Sequence, residues 1–212
     1  MRNYIFDLDG TILDSADMWV AINRAFFEKR GLPYPEDYQQ MIAALPFPEV
    51  ASYTRRQYNL PETPEELMDE FLASAEDGYT HQIKLKPGAK EYLLRLHKAG
   101  RKMAVATAAP HRLLTPALKR HGLFDLFDAI CTTQDVGVGK VKPDVFLLAA
   151  EKIKTAPGDC VVFDDILAAI KSAKGAGMTV CAVRDVQSDE DWADILRTAD
   201  YTLDDFTDFP IL

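Results

Sequence analysis

The stretch Asp7-Leu8-Asp9-Gly10-Thr11-Ile12-Leu13-Asp14-Ser15 emerges from a short apolar run, Tyr4–Leu8, and its reading decides the fold. Asp7 and Asp9 are two residues apart, so in an extended segment their side chains lean the same way. Two carboxylates that close repel in a partly dry site, and one pKa rises unless a cation lies between them. The pairing suits a nucleophile held ionised by a metal at Asp7 and a proton carrier at Asp9. In the simpler reading Asp9 or Asp14 caps a helix, which leaves the pairing unexplained. Gly10 permits a turn closed to residues with a β-carbon. Thr11 and Asp14 are expected to brace that turn by side-chain-to-backbone hydrogen bonds.

Outward from this stretch, apolar β-like runs alternate with helical patterns. The runs are Tyr4–Leu8, Met103–Thr107, Ala129–Thr132, Cys160–Phe163, Thr179–Val183 and, more weakly, Tyr201–Leu203. Their nearly continuous apolar character fits strands covered on both faces. Between them the spacing predicts helices at Ala89–Ala99, Arg112–His121, Asp144–Ile153, Leu167–Gly175 and Asp189–Ala199. The pattern is α/β, a Rossmann-like parallel sheet flanked by helices.

One interval breaks the alternation. From about Asp17 to Lys84 only amphipathic stretches appear: Asp17–Arg30, Glu36–Ala44, Pro48–Tyr58 and Pro64–Gln82. That is too long for an ordinary crossover. The expected organisation is a core domain of residues 1–15 and 86–212 with an inserted all-helical cap, residues 16–85. Irregular linkers are expected near Asp14–Ala16 and Ile83–Pro87, flanking the Asp7 loop as hinges of a lid.

In open α/β sheets ligands bind beyond the carboxyl ends of the strands. Those ends carry Asp7 and Asp9, then Thr107-Ala108-Ala109-Pro110, then Gly139-Lys140-Val141-Lys142-Pro143-Asp144, then Asp164-Asp165. Carboxylates, a hydroxyl and a lysine thus converge. With these motifs in order over essentially the whole chain, the sequence resembles the haloacid dehalogenase superfamily. Within it, the resemblance is to the helically capped phosphatases and sugar-phosphate mutases, phosphoglycolate phosphatase and β-phosphoglucomutase among them.

The resemblance implies a Mg²⁺-dependent phosphatase acting on a small phosphorylated metabolite through an aspartyl phosphate. Asp7 is then the nucleophile and Asp9 the acid and base. Thr107, with the amide of Ala108, binds a phosphoryl oxygen, where a plain strand threonine is the alternative. Lys140, at the family's spacing before Pro143-Asp144, supplies the positive charge, whereas Lys142 reads as a surface lysine. The metal set is Asp7, Asp9, Asp165 and Asp164, hard oxygen donors of the kind Mg²⁺ takes; Asp164 or Asp165 could instead cap the next helix. The chain departs from its relatives at Ile166, Ala108 and Ala109. It also has Trp19 where the capped mutases carry a histidine, and the mutases' cap arginine and lysine fall at about Pro46 and about His81. This favours hydrolysis over phosphoryl transfer within one sugar; a non-catalytic phosphate-binding domain is a more distant alternative.

The 24 Lys and Arg stand against 33 Asp and Glu, for a net charge of −9, which disfavours nucleic acid and anionic lipid as partners. No run of about 18 apolar residues suggests a membrane span. Met1–Asp7 reaches an acidic residue too early for the apolar part of a signal peptide. Cys131, Cys160 and Cys181 lie in apolar runs without CxxC spacing and read as reduced core residues. A cytoplasmic protein is expected. The histidines, His81, His97, His111 and His121, have no metal spacing, though His81 and His111 could face the cleft. Arg55 and Arg56 could meet a substrate anion or form a solvated helix face. Nothing in the sequence speaks to oligomeric state.

Overall fold

The apolar runs become one six-stranded parallel sheet: β1 (Asn3–Phe6), β4 (Met103–Thr107), β5 (Ala129–Thr132), β6 (Cys160–Asp164), β7 (Thr179–Val183) and β8 (Tyr201–Leu203). The computed structural model describes residues 2–43 and 45–212. Strand order is β5-β4-β1-β6-β7-β8, so the chain winds away from β1 in both directions. The crevice of a doubly wound sheet opens at such a reversal, here beyond the ends of β1, β4 and β6. The register Phe6↔Val105 and Phe6↔Phe163 aligns those ends.

Side chains alternate between two buried layers, as strand geometry requires. Tyr4, Phe6, Val105, Val161 and Phe163 face one layer with Tyr92, Leu93 and Leu96 of α5 (Ala89–Lys98) and Leu113, Leu114 and Leu118 of α6 (His111–His121). Ile5, Ala104, Ala106, Cys160 and Val162 face the other, against α8 (Asp144–Lys152), α9 (Leu167–Gly175) and Ile195 of α10 (Trp192–Thr198). Phe6 stacks on Phe163 with ring centroids 4.8 Å apart. Truncating either ring to alanine should cost about 3–5 kcal/mol. A four-residue helix after β5, α7 (Thr133–Val136), was not anticipated. Cys131, Cys160 and Cys181 are buried free thiols.

The insertion contains α1 (Ala16–Lys29), α2 (Tyr38–Ala43), α3 (Phe47–Tyr58) and α4 (Pro64–Asp77). The second of these is shorter than the expected Glu36–Ala44, whose last residue lies outside the described residues, as does Met1. Phe26, Phe27, Tyr38, Ala51, Leu67 and Phe71 form the insertion's own core. The helix expected to run to Gln82 changes at Gly78 into a π-turn, Gly78–Gln82. A β-carbon on Gly78 would stand 2.3 Å from Met18 Sδ, so glycine lets that turn press against α1.

The linkers are not irregular. They pair as an antiparallel ribbon, β2 (Leu13–Asp14) with β3 (Lys84–Leu85), and Lys86 N donates to Ile12 O at 2.9 Å. Adjacent entry and exit points let two short segments satisfy each other's backbone groups. In addition, Leu72, Ala75, Tyr79 and Ile83 of the insertion are buried in the same apolar layer as Phe6 and Leu113.

Candidate active site

Asp7 is fixed at the end of β1, where its N–H donates to Phe163 O at 2.9 Å. The chain then turns tightly: Leu8 O accepts from Thr11, Ile12 and Leu13 at 3.2, 2.9 and 2.7 Å. Gly10, at φ +76°, makes the turn possible. The bracing differs from expectation. Backbone bonds hold the turn, while Thr11 Oγ1 donates to Asp165 Oδ1 at 3.2 Å and Asp14 is exposed. Neither Asp9 nor Asp14 is the N-cap of α1; Ser15 occupies that position.

The neighbouring strand ends supply the rest. Lys140 Nζ lies 2.5 Å from Asp7 Oδ1 and 2.8 Å from Asp164 Oδ2, and the backbone of Lys140 is anchored where its carbonyl accepts from Ser172 Oγ at 2.6 Å. Asp164 Oδ1 accepts from Ile166 N at 3.0 Å. Ile166 is itself the N-cap of α9, without a side-chain cap, so neither Asp164 nor Asp165 is the capping residue, and Asp164 divides its oxygens between the Ile166 amide and Lys140. Thr107 is buried, and its Oγ1 accepts from Ala109 N at 3.2 Å, leaving the hydroxyl proton free to donate. Asp7, Asp9, Thr107, Ala108, Lys140 and Asp165 line one depression, joined by Ile166 and Gln187.

Carboxylate oxygens of Asp7, Asp164 and Asp165 lie within 4.8 Å of one another, all buried. The Lys140 ammonium pairs with two of these three carboxylates, Asp7 and Asp164. Burial raises the pKa of Asp165 well above the usual range, and the charges of Asp164 and Asp7 push it further. Burial likewise raises Asp164, while Lys140 opposes the shift. For Lys140, burial disfavours the ammonium, but Asp164 and Asp7 outweigh that and raise its pKa. A hard, oxygen-only donor set short of positive charge is what a divalent cation neutralises. The cluster could hold a metal ion.

The Asp9 carboxylate is not part of that trio, which leaves its backbone carbonyl as the group it could offer to the expected metal set. It is drawn toward the insertion, where Tyr79 Oη donates to Asp9 Oδ1 at 2.5 Å and Trp19 Nε1 donates to Tyr79 Oη at 3.0 Å. Burial is the main cause that raises Asp9 to about 6, opposed by the Tyr79 bond and assisted by the charge of Asp7. Tyr79 was missed in the sequence. Its signal was a hydroxyl ending the buried stripe Leu67, Phe71, Ala75, Tyr79, each four residues after the last. Lys142, His81, His111, Arg55 and Arg56 are exposed and none lines the depression. Arg55 instead donates to Glu62 O at 2.9 Å.

Comparison with known proteins agrees with this geometry. The sequence model of the family described as haloacid dehalogenase-like hydrolase matches residues 4–183. A phosphorylated carbohydrates phosphatase of Thermotoga maritima is 28% identical over 178 residues, covering 84% of this chain and 82% of that protein. Hexitol phosphatase A of Escherichia coli is 32% identical over 189 residues, covering 86% and 82%. The crystal structure of β-phosphoglucomutase from Clostridium difficile superposes with a TM-score of 0.82 over 100% of this chain and 94% of that one, at 20% identity, a likeness of fold. No helix among the described residues is long and apolar enough to cross a membrane. The chain belongs to the haloacid dehalogenase-like hydrolase family and is a phosphoric monoester hydrolase.

Proposed function

We propose that the chain hydrolyses a small phosphorylated metabolite of the sugar or polyol class with Mg²⁺, through an aspartyl phosphate on Asp7. The observation that carries this reading is Lys140 bridging Asp7 and Asp164 beside Asp165, with the Asp9 carboxylate held apart from them. The names of the carbohydrate and hexitol phosphatases support the substrate class. Asp7 and Asp165 would hold the ion, with Asp164 orienting Lys140 between its own two contacts. Bound there, Mg²⁺ would neutralise charge on the transferring phosphoryl group.

The residues then act in two steps. An Asp7 oxygen attacks phosphorus as the bond from phosphorus to the leaving oxygen breaks, and Asp9 gives its proton to that oxygen. Water next loses a proton to Asp9 and attacks phosphorus, the Asp7–phosphorus bond breaks, and inorganic phosphate leaves. Thr107 Oγ, the Ala108 amide and Lys140 hold non-reacting phosphoryl oxygens as charge develops. Trp19 stands where the mutases that the chain resembles carry a histidine, which favours hydrolysis. Residues 16–85 serve as a cap over a core of residues 1–15 and 86–212. The buried free thiols support a cytoplasmic setting.

Asp7→Asn tests the reading. Phosphate release in Mg²⁺ should fall to the background of the preparation while thermal unfolding stays cooperative. Retention of more than a few per cent of turnover in a contaminant-free preparation would remove Asp7 as nucleophile.

A further inference from the structure

Past Asp9 the depression opens into a second cavity of about 120 Å³ between the insertion and the core. Asp9, Ala108 and Gln187 border both spaces, so a phosphate seated at Asp7 directs its leaving group into this cavity. Its walls are largely apolar, with Trp19 and Phe47 packed together at 6.1 Å between centroids and Phe71 beyond them. Among the residues lining it there is no lysine, arginine or histidine, and the one charged group is Asp9. Two side-chain amides interrupt the apolar wall. Asn23 is 1% exposed and its Nδ2 has no hydrogen-bond partner; Gln39 is half-buried, with its Nε2 shielded from solvent.

Such a lining selects by charge. A carboxylate or second phosphate on the leaving group would be buried beside Asp9 with no cation to pair it. A neutral ring or chain can cover Trp19 and Phe47, and its oxygens can accept from amide groups that otherwise stay desolvated and unsatisfied. We propose that the Asn23–Gln39 pocket makes this enzyme selective for phosphomonoesters of uncharged alcohols that present an apolar face and carbonyl or hydroxyl acceptors, and excludes those with a second anion. This rests on the phosphatase reading and narrows it, setting phosphorylated carboxylic acids and bisphosphates outside the substrate range.

Phosphate release in Mg²⁺ from matched esters tests it. Glycerol 3-phosphate and 3-phosphoglycerate differ in CH₂OH against carboxylate; 4-carbamoylphenyl and 4-carboxyphenyl phosphate repeat the contrast on an aromatic leaving group. The neutral member of each pair should have at least about tenfold higher kcat/KM. Gln39→Lys places a cation in the wall and should narrow that preference. Asn23→Leu should lower the ratio of kcat/KM for 4-carbamoylphenyl over phenyl phosphate by about tenfold, because only the former carries an acceptor for the amide. Release from both members of each pair at similar kcat/KM by the wild type would overturn the pocket proposal and leave the hydrolase reading intact. No release from any ester would overturn the hydrolase reading and the proposal with it. The wild-type pairs decide the matter even if a variant fails to fold.

Discussion

Gly10→Ala separates the turn's backbone requirement from the geometry of the carboxylate cluster. An alanine there would keep φ near +76°, with its Cβ 2.3 Å from Asp165 Oδ2 and 2.7 Å from Asp165 Cγ. Carbon contacts settle near 3.5 Å, so the carboxylate must withdraw by about 1 Å. The left-handed backbone costs an alanine roughly 1–2 kcal/mol, equivalent to a melting temperature lower by about 2–8 °C in a chain of this size. The withdrawal breaks the 3.2 Å bond from Thr11 and carries an oxygen away from Asp7. Since Mg²⁺ demands oxygens at about 2.0–2.1 Å, the concentration for half-activation should rise at least about tenfold. Melting in EDTA reads the backbone cost together with the lost Thr11 bond, and phosphate release against Mg²⁺ concentration reads the metal site. A lowered melt with unchanged half-activation would refute Asp165 as a ligand.

Three further perturbations follow from the same geometry. Tyr79→Phe removes the donor to Asp9 Oδ1 and should cut kcat on alkyl phosphates about tenfold, with a smaller loss on p-nitrophenyl phosphate, whose leaving group needs no proton; equal losses would deny that Tyr79 acts through Asp9. Lys140→Met leaves Asp7 and Asp164 buried without their ammonium and should cost about 3–5 kcal/mol, read by denaturant unfolding in EDTA, where an unchanged midpoint would contradict the charge balance. Deleting residues 17–84 behind a short Gly/Ser bridge uncovers the layer shared by Leu72, Ala75, Tyr79 and Ile83. The remainder should bind a hydrophobic dye and lose its cooperative melt, and a sharp melt would show that the core needs no cover.

Much of the fold was legible because its signals are local. The parallel strands are buried on both faces and read as apolar runs; Met103–Thr107, Ala129–Thr132 and Thr179–Val183 match residue for residue. Asp7, Asp164 and Asp165 stood out because strand ends in a doubly wound sheet converge wherever the order reverses, and Lys140 because its spacing before Pro143-Asp144 is that of the family the sequence resembles. What escaped depends on tertiary packing. Asn23 and Gln39 look like ordinary polar positions of amphipathic stretches, and only tertiary packing buries their amides. Gln187 reaches the site because Lys86 Nζ pairs with Asp185 Oδ2 at 2.6 Å, and Asp185 Oδ1 accepts from Gln187 N at 3.0 Å. The linker ribbon was missed because two-residue strands carry no periodicity.

The position of Tyr79 joins the insertion to the chemistry. Trp19 lies in the first turns after the chain leaves the core, and Tyr79 lies in the π-turn just before it returns. Their bonded chain ends on Asp9 Oδ1, so both legs of the insertion bear on one carboxylate oxygen. With Oδ1 engaged, the proposed mechanism would use Oδ2 to carry a proton to the leaving group and later to take one from water. That orientation exists only while the insertion is seated, when the leaving-group cavity is also walled by Trp19 and Phe47. An open arrangement would loosen the acid and admit water together. On the proposed mechanism, proton donation and exclusion of bulk water would therefore be tied to one event, the seating of the insertion, which is held by the apolar layer that Leu72, Ala75 and Ile83 share with the core.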